Sequence, residues 1–570
     1  MLLDLLAGLL IFPVVALGLA WPLAARLTLA PAEKLGASVA LSLLGTFLFA
    51  WMVYVCALPV AVLRALPLLA AAGLVAGRRS LGAALGDTEA RALLATQLIV
   101  TAWCVGWLAL VASYSGGAWT GDWFGHWDRA RFFLERWPRD KLFDGFDPIT
   151  SRPPLANVVI GALLGLTRTS FAVYQLLTAL FGSLAFFPAA LLAQRFRPRP
   201  CSGGHAVAVL AVLFMLNPLF VQNATFAWTK LPAAFFVLTA LYFFLRAHDS
   251  DAPPAAGVLC AASLAAGLLA HYSAGPYAVL LALAWLALGW PRRRDQAWRH
   301  TTALAALAGG LVLATWFGWS LAVFGARHTL LSNTTVTDQA PTAGAQLIVV
   351  ALNLRDTLVP HFLRGADFGA FRQSSPWGWW RDWFFQLYQV NFFFAFGSLG
   401  WAAILAGLVR TWRGAAARSR GFWAFFISGA TVLGVAVHGA RDSAGLVHIC
   451  LQPLVLLGLA FLASRWTTLS FAWQRALVAG LTVDFFLGIA LQFAVESYAL
   501  DHWVNPGRPA GATYLSYSPF AMMNLRAKLQ NQWVFLGDVF SPHAALVVVA
   551  LAALLGLALA RAVRTSQPKA

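Results

Sequence analysis

The chain has 570 residues, of which 60% are hydrophobic and 11% are charged, and its mean hydropathy is +0.72. This balance excludes an ordinary soluble domain, in which about 25% of residues are charged, and predicts a polytopic membrane protein. The formal net charge of +18 would suggest a nucleic-acid partner in a soluble protein. Here the basic residues are confined to short loops between apolar runs, so we expect the lipid bilayer and no nucleic acid as a partner.

Apolar runs of about 20 residues, long enough to cross the hydrocarbon layer as helices, recur along the whole chain. We predict an all-α fold with about fifteen transmembrane helices, within a range of roughly 13–16. The predicted spans lie near 3–28, 36–57, 59–76, 92–113, 171–195, 204–221, 231–247, 255–271, 274–290, 302–324, 387–409, 421–438, 445–464, 470–493 and 541–563.

Six short basic segments, 78–91, 194–200, 291–300, 410–420, 464–466 and 561–570, all fall on one side of the predicted bundle, which places them in the cytoplasm and the N-terminus outside. The apolar segment 153–166 is too short to span, so we expect a helix lying at the outer surface. Three long hydrophilic segments, 114–154, 327–386 and 494–540, then share the outer face. Any chemistry is therefore expected on the extracytoplasmic side.

The first of these outer segments is rich in acidic residues. Six of the chain's 22 acids lie in the 26 residues from Asp122 to Asp147, where the overall composition would place about one. For most of them, and for all those beyond Glu135, we expect a solvated loop. Asp122 differs because it directly follows a predicted span and lies between Trp119 and Trp123. A partly apolar setting raises the pKa of a carboxyl group toward the range useful for a general base.

A helix that begins near Asp122 would place Asp122, His126 and Arg129 on one face, at positions i, i+4 and i+7. The tryptophans of this segment would anchor the helix at the membrane interface. We predict that His126, Asp128 and Arg129 support the acceptor or the base. The chain has no zinc-ligand spacing, but Asp122, Asp128 and His126 could hold a divalent cation. No other cofactor is expected.

The order of these motifs resembles a known family. The stretch "GDWFGHWDRARFFL", followed by "SRPPLANVVIGALLGL", is similar to the first extracytoplasmic loop of the GT-C glycosyltransferases. The most similar branch contains protein mannosyltransferases, aminoarabinose transferases and RgtA-type enzymes. In that branch an acidic patch follows a transmembrane helix, and a basic residue with two prolines opens the next surface helix. The resemblance implies that Asp122 is the catalytic base.

The resemblance extends over roughly residues 92–464 and predicts a GT-C-like catalytic core there. Residues 217–247, 268–281 and 445–463 resemble later outer turns and helices of the family. Residues 1–91 are then additional N-terminal transmembrane helices, and 465–570 are C-terminal helices with the outer loop 494–540. Many family members carry an acid where this chain reads Trp228-Thr229-Lys230, which suggests a cation at this position.

The resemblance implies a polyprenyl-phosphate-linked sugar as donor and a hydroxyl of a glycan, lipid or protein as acceptor, with inversion at the anomeric carbon. Cations at outer span ends would bind the donor phosphate. The candidates are Lys230, Arg152, His271, Arg441 and His448, with Arg355, His361 and Arg364 as weaker ones. Two of these residues could instead have a purely structural role. Lys230 could snorkel to the lipid headgroups, and Arg441 could form a local ion pair with Asp442.

Two other functions fit parts of the pattern. A transporter or flippase of lipid-linked sugars would share the multi-span bundle, but we expect neither internal repeats nor paired broken helices, which carriers often have. An O-antigen ligase or polymerase would use a late outer loop, here 494–540 with His502, Arg508, Arg526 and Lys528. We expect the bacterial inner membrane as the location, with the active site facing the periplasm.

Overall fold

A computed structural model of the chain describes residues 1–109, 120–143, 147–198, 203–333, 342–360, 363–364, 387–397, 417–442 and 445–490, with the single positions 536, 539, 550 and 554. Within these ranges the chain forms helices, turns and loops, and the only β-type pairing is one isolated bridge between Phe143 and Asp147. The all-α prediction is confirmed.

The α-helices are numbered here in chain order. They are α1 (Leu2–Gly18), α2 (Trp21–Ala24), α3 (Pro31–Val55), α4 (Ala65–Ala76), α5 (Arg78–Gly86), α6 (Thr88–Ala109), α7 (Thr120–Glu135), α8 (Leu155–Leu166), α9 (Phe171–Ser183), α10 (Phe186–Phe196), α11 (Gly203–Leu216), α12 (Pro218–Thr225), α13 (Lys230–Ala247), α14 (Ala255–Ala270), α15 (Gly275–Gly289), α16 (Gln296–Leu331), α17 (Ala343–Leu358), α18 (Ala417–Ala436), α19 (Gln452–Ser464) and α20 (Phe471–Phe485).

Among the described residues, nine helices or continuous helix pairs are long and apolar enough to cross a membrane, or up to eleven if two bent pairs each count as one span. Most of the predicted span 387–409 and nearly all of 541–563 lie outside the described residues, as does most of the outer loop 494–540. The multi-span architecture is therefore confirmed, while the number of about fifteen spans stays a prediction.

Two helix pairs are broken by a sharp bend, and the second break lies within the predicted span 204–221. The segment Val60–Ala76 meets α5 at an angle of 68°, and α11 meets α12 at 70°. The second break has a local cause: Pro218 cannot donate a backbone hydrogen bond and so begins a new helix, while the Asn217 side chain caps that helix by accepting from the Phe220 N–H at 2.9 Å. The expectation of no paired broken helices of the carrier type stays a prediction.

The short helix α8 is present, but it does not lie on the surface. Its 12 residues cannot span, and Leu155 to Leu164 are all buried where α8 packs against α7, α3 and α14. Gly161 permits this packing, because a Cβ atom at that position would lie 2.6 Å from the carbonyl oxygen of Ala130 in α7. The helix is thus an internal support for α7.

The N-terminal helices share the hydrophobic core of the rest of the chain. Helix α1 packs on α4, α3 and α9, and α3 packs on α8, α6 and α10. Leu35 and Phe47 of α3 belong to the same buried cluster as Phe235 of α13. The division at residue 91 stays a prediction from the sequence resemblance.

Candidate active site

Helix α7 carries the predicted catalytic face. It runs from Thr120 to Glu135, so Asp122, His126 and Arg129 fall on successive turns of one face, as predicted. His126 and Arg129 are buried. The backbone of Asp122 lies in the first turn of α7, and its side chain lies outside the described part of the structure.

Trp127 and Asp128 sit on the neighbouring positions of α7. The Trp127 ring packs edge-on against Tyr174 of α9, with ring centroids 5.1 Å apart, so this tryptophan is buried in the bundle rather than anchoring the helix at an interface. Asp128 is partly exposed and lies 4.0 Å from Arg131. It therefore faces away from the buried side chains of His126 and Arg129.

His126 is buried and contacts α8. Its Nδ1 lies 3.2 Å from Oδ1 of Asn157. Burial, together with the positive charges of Arg129, Arg152 and Lys230, holds the pKa of His126 well below its usual range. His126 thus contributes a neutral hydrogen-bonding ring at the centre of three cations.

Arg129 is fixed by the acid-rich loop that follows α7. Its Nη2 lies 3.3 Å from Oδ2 of Asp147 and 3.3 Å from Oγ of Ser151, and its guanidinium carbon stands 4.5 Å from the centre of the Phe143 ring. Arg152 lies 4.0 Å from the same Asp147 oxygen. Asp147 is therefore a buried counter-ion, and the expectation that the acids beyond Glu135 are solvated was wrong for this one.

Lys230 begins α13 and is buried, with 7% of the residue exposed. Its Nζ lies 3.7 Å from the centre of the Trp228 ring, and the same ring lies 5.8 Å from that of His448. The N-terminus of an 18-residue helix also presents unpaired N–H groups and the positive end of the helix dipole. The cation predicted from Trp228-Thr229-Lys230 is thus placed where an anion would be stabilised.

His271 and Arg152 complete this group. His271 ends α14, where its Nδ1 lies 2.9 Å from Oγ of Ser273, and Tyr272 donates to the Thr150 carbonyl at 3.3 Å. Lys230 and His271 are both close enough to His448 to act on it electrostatically, as Lys230 and Arg152 act on His126. The structure therefore brings five predicted residues to one end of the bundle. We call this set of two basic side chains and three imidazoles the cation cluster: His126, Arg152, Lys230, His271 and His448.

Arg441 belongs to a neighbouring group. Its Nη2 lies 3.4 Å from Oδ2 of Asp356, a fully buried acid that also pairs with Arg355 at 2.7 Å and Arg364 at 2.9 Å. The alternative of a local pair between Arg441 and Asp442 stays a prediction. The weaker candidate at position 361 lies outside the described residues.

A buried amide network between the two groups was not anticipated. Gln389 donates to Gln222 at 2.7 Å, Asn223 donates to Gln389 at 2.7 Å, and Gln452 donates to Asn223 at 2.6 Å and to the His448 carbonyl at 3.0 Å. The signal for it in the sequence is the presence of amide side chains in otherwise apolar segments. The network ties α12, residues 387–390 and α19 to the turn that carries His448.

The intramembrane acid Asp484 also has a partner. Tyr388 donates to its Oδ1 at 3.0 Å, and both residues are buried. Within the described residues, no group of three or more His, Cys, Asp or Glu side chains could hold a metal ion. Because the Asp122 side chain is not among those residues, a divalent cation at Asp122, Asp128 and His126 stays a prediction.

Comparison with known proteins gives few matches. Two solved structures resemble this chain. Both are ArnT from Cupriavidus metallidurans, one bound to undecaprenyl phosphate and one in the apo state. They share 18% identity with this chain at TM-scores of 0.43 and 0.42, and the alignments cover 83% of this chain and 73% and 72% of theirs. No family model matches the chain, nor does any curated protein.

Similarity at this TM-score and identity does not assign an activity. The donor, the acceptor and the reaction must therefore be argued from the residues of this chain.

Proposed function

We propose that this protein is an integral-membrane glycosyltransferase that moves a sugar from a polyprenyl-phosphate donor to an acceptor hydroxyl at the outer face of the membrane. The observation that carries the proposal is the convergence of Lys230, Arg152, His271 and His448 beside α7, the helix that contains Asp122. The class of donor is taken from the sequence resemblance.

The cation cluster suits a phosphate leaving group. As the bond between the anomeric carbon and the phosphate oxygen breaks, negative charge accumulates on the phosphate. Lys230, with the N-terminus of α13 behind it, stabilises that charge without any proton transfer. The imidazoles of His271 and His448 and the guanidinium of Arg152 add hydrogen-bond donors with fixed positions. Buried groups of this kind act more strongly than exposed ones, because the surrounding dielectric constant is low.

Asp122 would supply the base. It lies one helical turn before His126, about 6 Å along the axis of α7. Its carboxylate would take the proton of the acceptor hydroxyl while the oxygen forms a bond to the anomeric carbon, and the electron pair of the breaking bond leaves with the phosphate. Attack opposite the leaving group inverts the configuration at that carbon.

The test uses the purified full-length protein in detergent or nanodiscs with polyprenyl-phosphate sugars. We expect release of polyprenyl phosphate, loss of that release in Asp122→Asn, and unchanged turnover in Asp140→Asn, which removes an exposed acid of the same outer segment. Donor binding should survive in Asp122→Asn, because the phosphate contacts lie elsewhere. Turnover of Asp122→Asn at the rate of the unaltered protein would refute the mechanism. Addition of a chelator tests whether turnover requires a divalent cation.

A carrier of lipid-linked sugars is the second candidate, and the two broken spans favour it, because discontinuous helices line the substrate sites of many transporters. The two functions differ in whether polyprenyl phosphate is released. Reconstituted vesicles that move the lipid-linked sugar across the bilayer without cleaving it would support the carrier, whereas release of polyprenyl phosphate on one side supports the transferase.

A further inference from the structure

The outer end of α3 is fastened to the end of α7. The last carbonyl groups of a helix lack full partners within the helix. Arg136, the first residue after α7, donates to the carbonyls of Val53 and Ala57, each at 3.2 Å, and to that of Leu58. The backbone of Arg136 has a φ of 54°, a left-handed conformation that non-glycine residues seldom adopt. Arg136 therefore joins the end of α7 to the last turn of α3 and to the two residues Ala57 and Leu58 that follow it.

Aromatic packing reinforces the same junction. Trp51 and Tyr54, one turn apart on α3, lie against Phe133 of α7 with ring centroids 5.9 Å and 5.2 Å away, and Tyr54 also contacts Phe132 at 6.2 Å. The Trp51 indole donates to the Thr315 carbonyl of α16 at 3.1 Å. Phe132 and Phe133 of α7 therefore contact the last turns of α3.

The other end of α3 is fastened to α13. Glu33, in the first turn of α3, is buried and accepts from the Tyr242 hydroxyl at 2.8 Å and from the Arg246 guanidinium at 3.2 Å. It also caps its own helix by accepting from the Ala30 N–H at 2.8 Å. Tyr242 and Arg246 both belong to α13, the helix that begins with Lys230.

We propose that α3, which precedes the GT-C-like core, is a positioning strut that fixes the axial position of α7 relative to α13, with Arg136 as the positioning residue at its outer end. The 25 residues of α3 span about 37 Å at 1.5 Å per residue. One end is joined to the helix that carries Asp122, and the other to the helix that carries Lys230. The contacts of α3 do not depend on the proposed function, but their effect on catalysis rests on it.

The strut would matter because the base and the phosphate cations must act on opposite sides of one carbon atom. A displacement of about 1 Å in such an arrangement can lower the rate about 100-fold. Neither Arg136 nor α3 belongs to the cation cluster. Weaker contacts between Arg136 and the end of α3 should therefore lower kcat while leaving donor affinity unchanged.

The experiment compares Arg136→Gln with Arg131→Gln in the full-length protein. Arg131 is an arginine of α7 that pairs with Glu135 on the same helix and lies over the Trp127 and Trp137 rings. For Arg136→Gln we expect kcat to fall about 10- to 100-fold with unchanged affinity for polyprenyl phosphate, and for Arg131→Gln we expect no change. Arg136→Lys should recover part of the loss, because an ammonium group can reach some of the three carbonyls. Tyr242→Phe, a milder change at the inner end, should lower kcat less.

Hydrogen–deuterium exchange of residues 120–135 supplies a readout that does not depend on activity. Arg136→Gln should exchange faster there, while Arg131→Gln should not. The strut is refuted if protection and kcat are unchanged in Arg136→Gln, or if activity falls only in proportion to the folded fraction. Faster exchange in Arg136→Gln, in a protein that cleaves no polyprenyl-phosphate sugar, would support the strut and reject the proposed function.

Discussion

Removal of the Asp147 carboxylate should increase the local opening of the outer segment that contains the candidate base. The side chains of Arg129 and Asp147 are only 4% and 9% exposed, and their closest atoms are 3.3 Å apart. In Asp147→Ala the guanidinium of Arg129 stays buried without its counter-ion. Arg152 also loses the carboxylate that lies 4.0 Å away.

The expected cost follows from the partners that Arg129 retains. Removal of one member of a buried ion pair costs about 3–5 kcal/mol. Arg129 keeps the Ser151 hydroxyl and the face of the Phe143 ring, so the lower limit is appropriate. A loss of about 3 kcal/mol corresponds to about a 100-fold rise in the open population, at about 1.4 kcal/mol per factor of ten.

Hydrogen–deuterium exchange of α7 measures this directly, because amides exchange when the local unit opens. Asp147→Ala should exchange about 100-fold faster than the unaltered protein, and Asp140→Ala, at an exposed position, should not differ from it. The double variant Arg129→Met/Asp147→Ala should regain most of the protection, since it leaves no unpaired charge buried. Unchanged exchange in Asp147→Ala, or lower protection in the double variant than in the single one, would refute the reasoning.

Two further predictions concern the cation cluster. His126 stays neutral in the folded protein, whereas in the unfolded chain it gains a proton below a pH of about 6.5. Proton uptake therefore favours the unfolded chain, and the free energy of unfolding should fall by up to about 1.4 kcal/mol for each pH unit below that value. His126→Gln should therefore lose less thermal stability than the unaltered protein between pH 7 and pH 5, and an equal loss in both would contradict this. Lys230→Gln should weaken the binding of polyprenyl phosphate about 10- to 100-fold, the value of one hydrogen bond from a charged donor, while Lys230→Arg should weaken it less. Equal affinity of Lys230→Gln and the unaltered protein in a direct binding assay would exclude Lys230 from the phosphate site.

The features that sequence reasoning predicted are those set by local patterns. Helical spans follow from apolar runs of sufficient length, and residues at the outer ends of spans share one end of the bundle once the topology is known. For that reason Lys230, His271 and His448 could be predicted to meet, although each belongs to a different helix. The face formed by His126 and Arg129 likewise follows from the helical repeat alone.

The features that sequence reasoning missed depend on contacts between distant segments. Asp147 looked like one more acid in a hydrophilic loop, and only the fold shows that this loop turns back and buries it against Arg129. Arg441 stood next to Asp442 in the sequence, yet it pairs with Asp356, 85 residues away. No local pattern distinguishes such acids from solvated ones, because their burial is decided by packing of the whole bundle.

The charges around His126 also bear on how the site distinguishes the donor from the product. Arg129, Arg152 and Lys230 all act on this ring, and the first two share Asp147. A sugar linked through a phosphodiester carries one negative charge, whereas the released phosphate monoester carries about 1.5 to 2 at neutral pH. A site with this excess of positive charge therefore stabilises the leaving group, and hence the transition state, more than the bound donor. The same preference retains the product, so the site should bind polyprenyl phosphate more tightly than the intact donor.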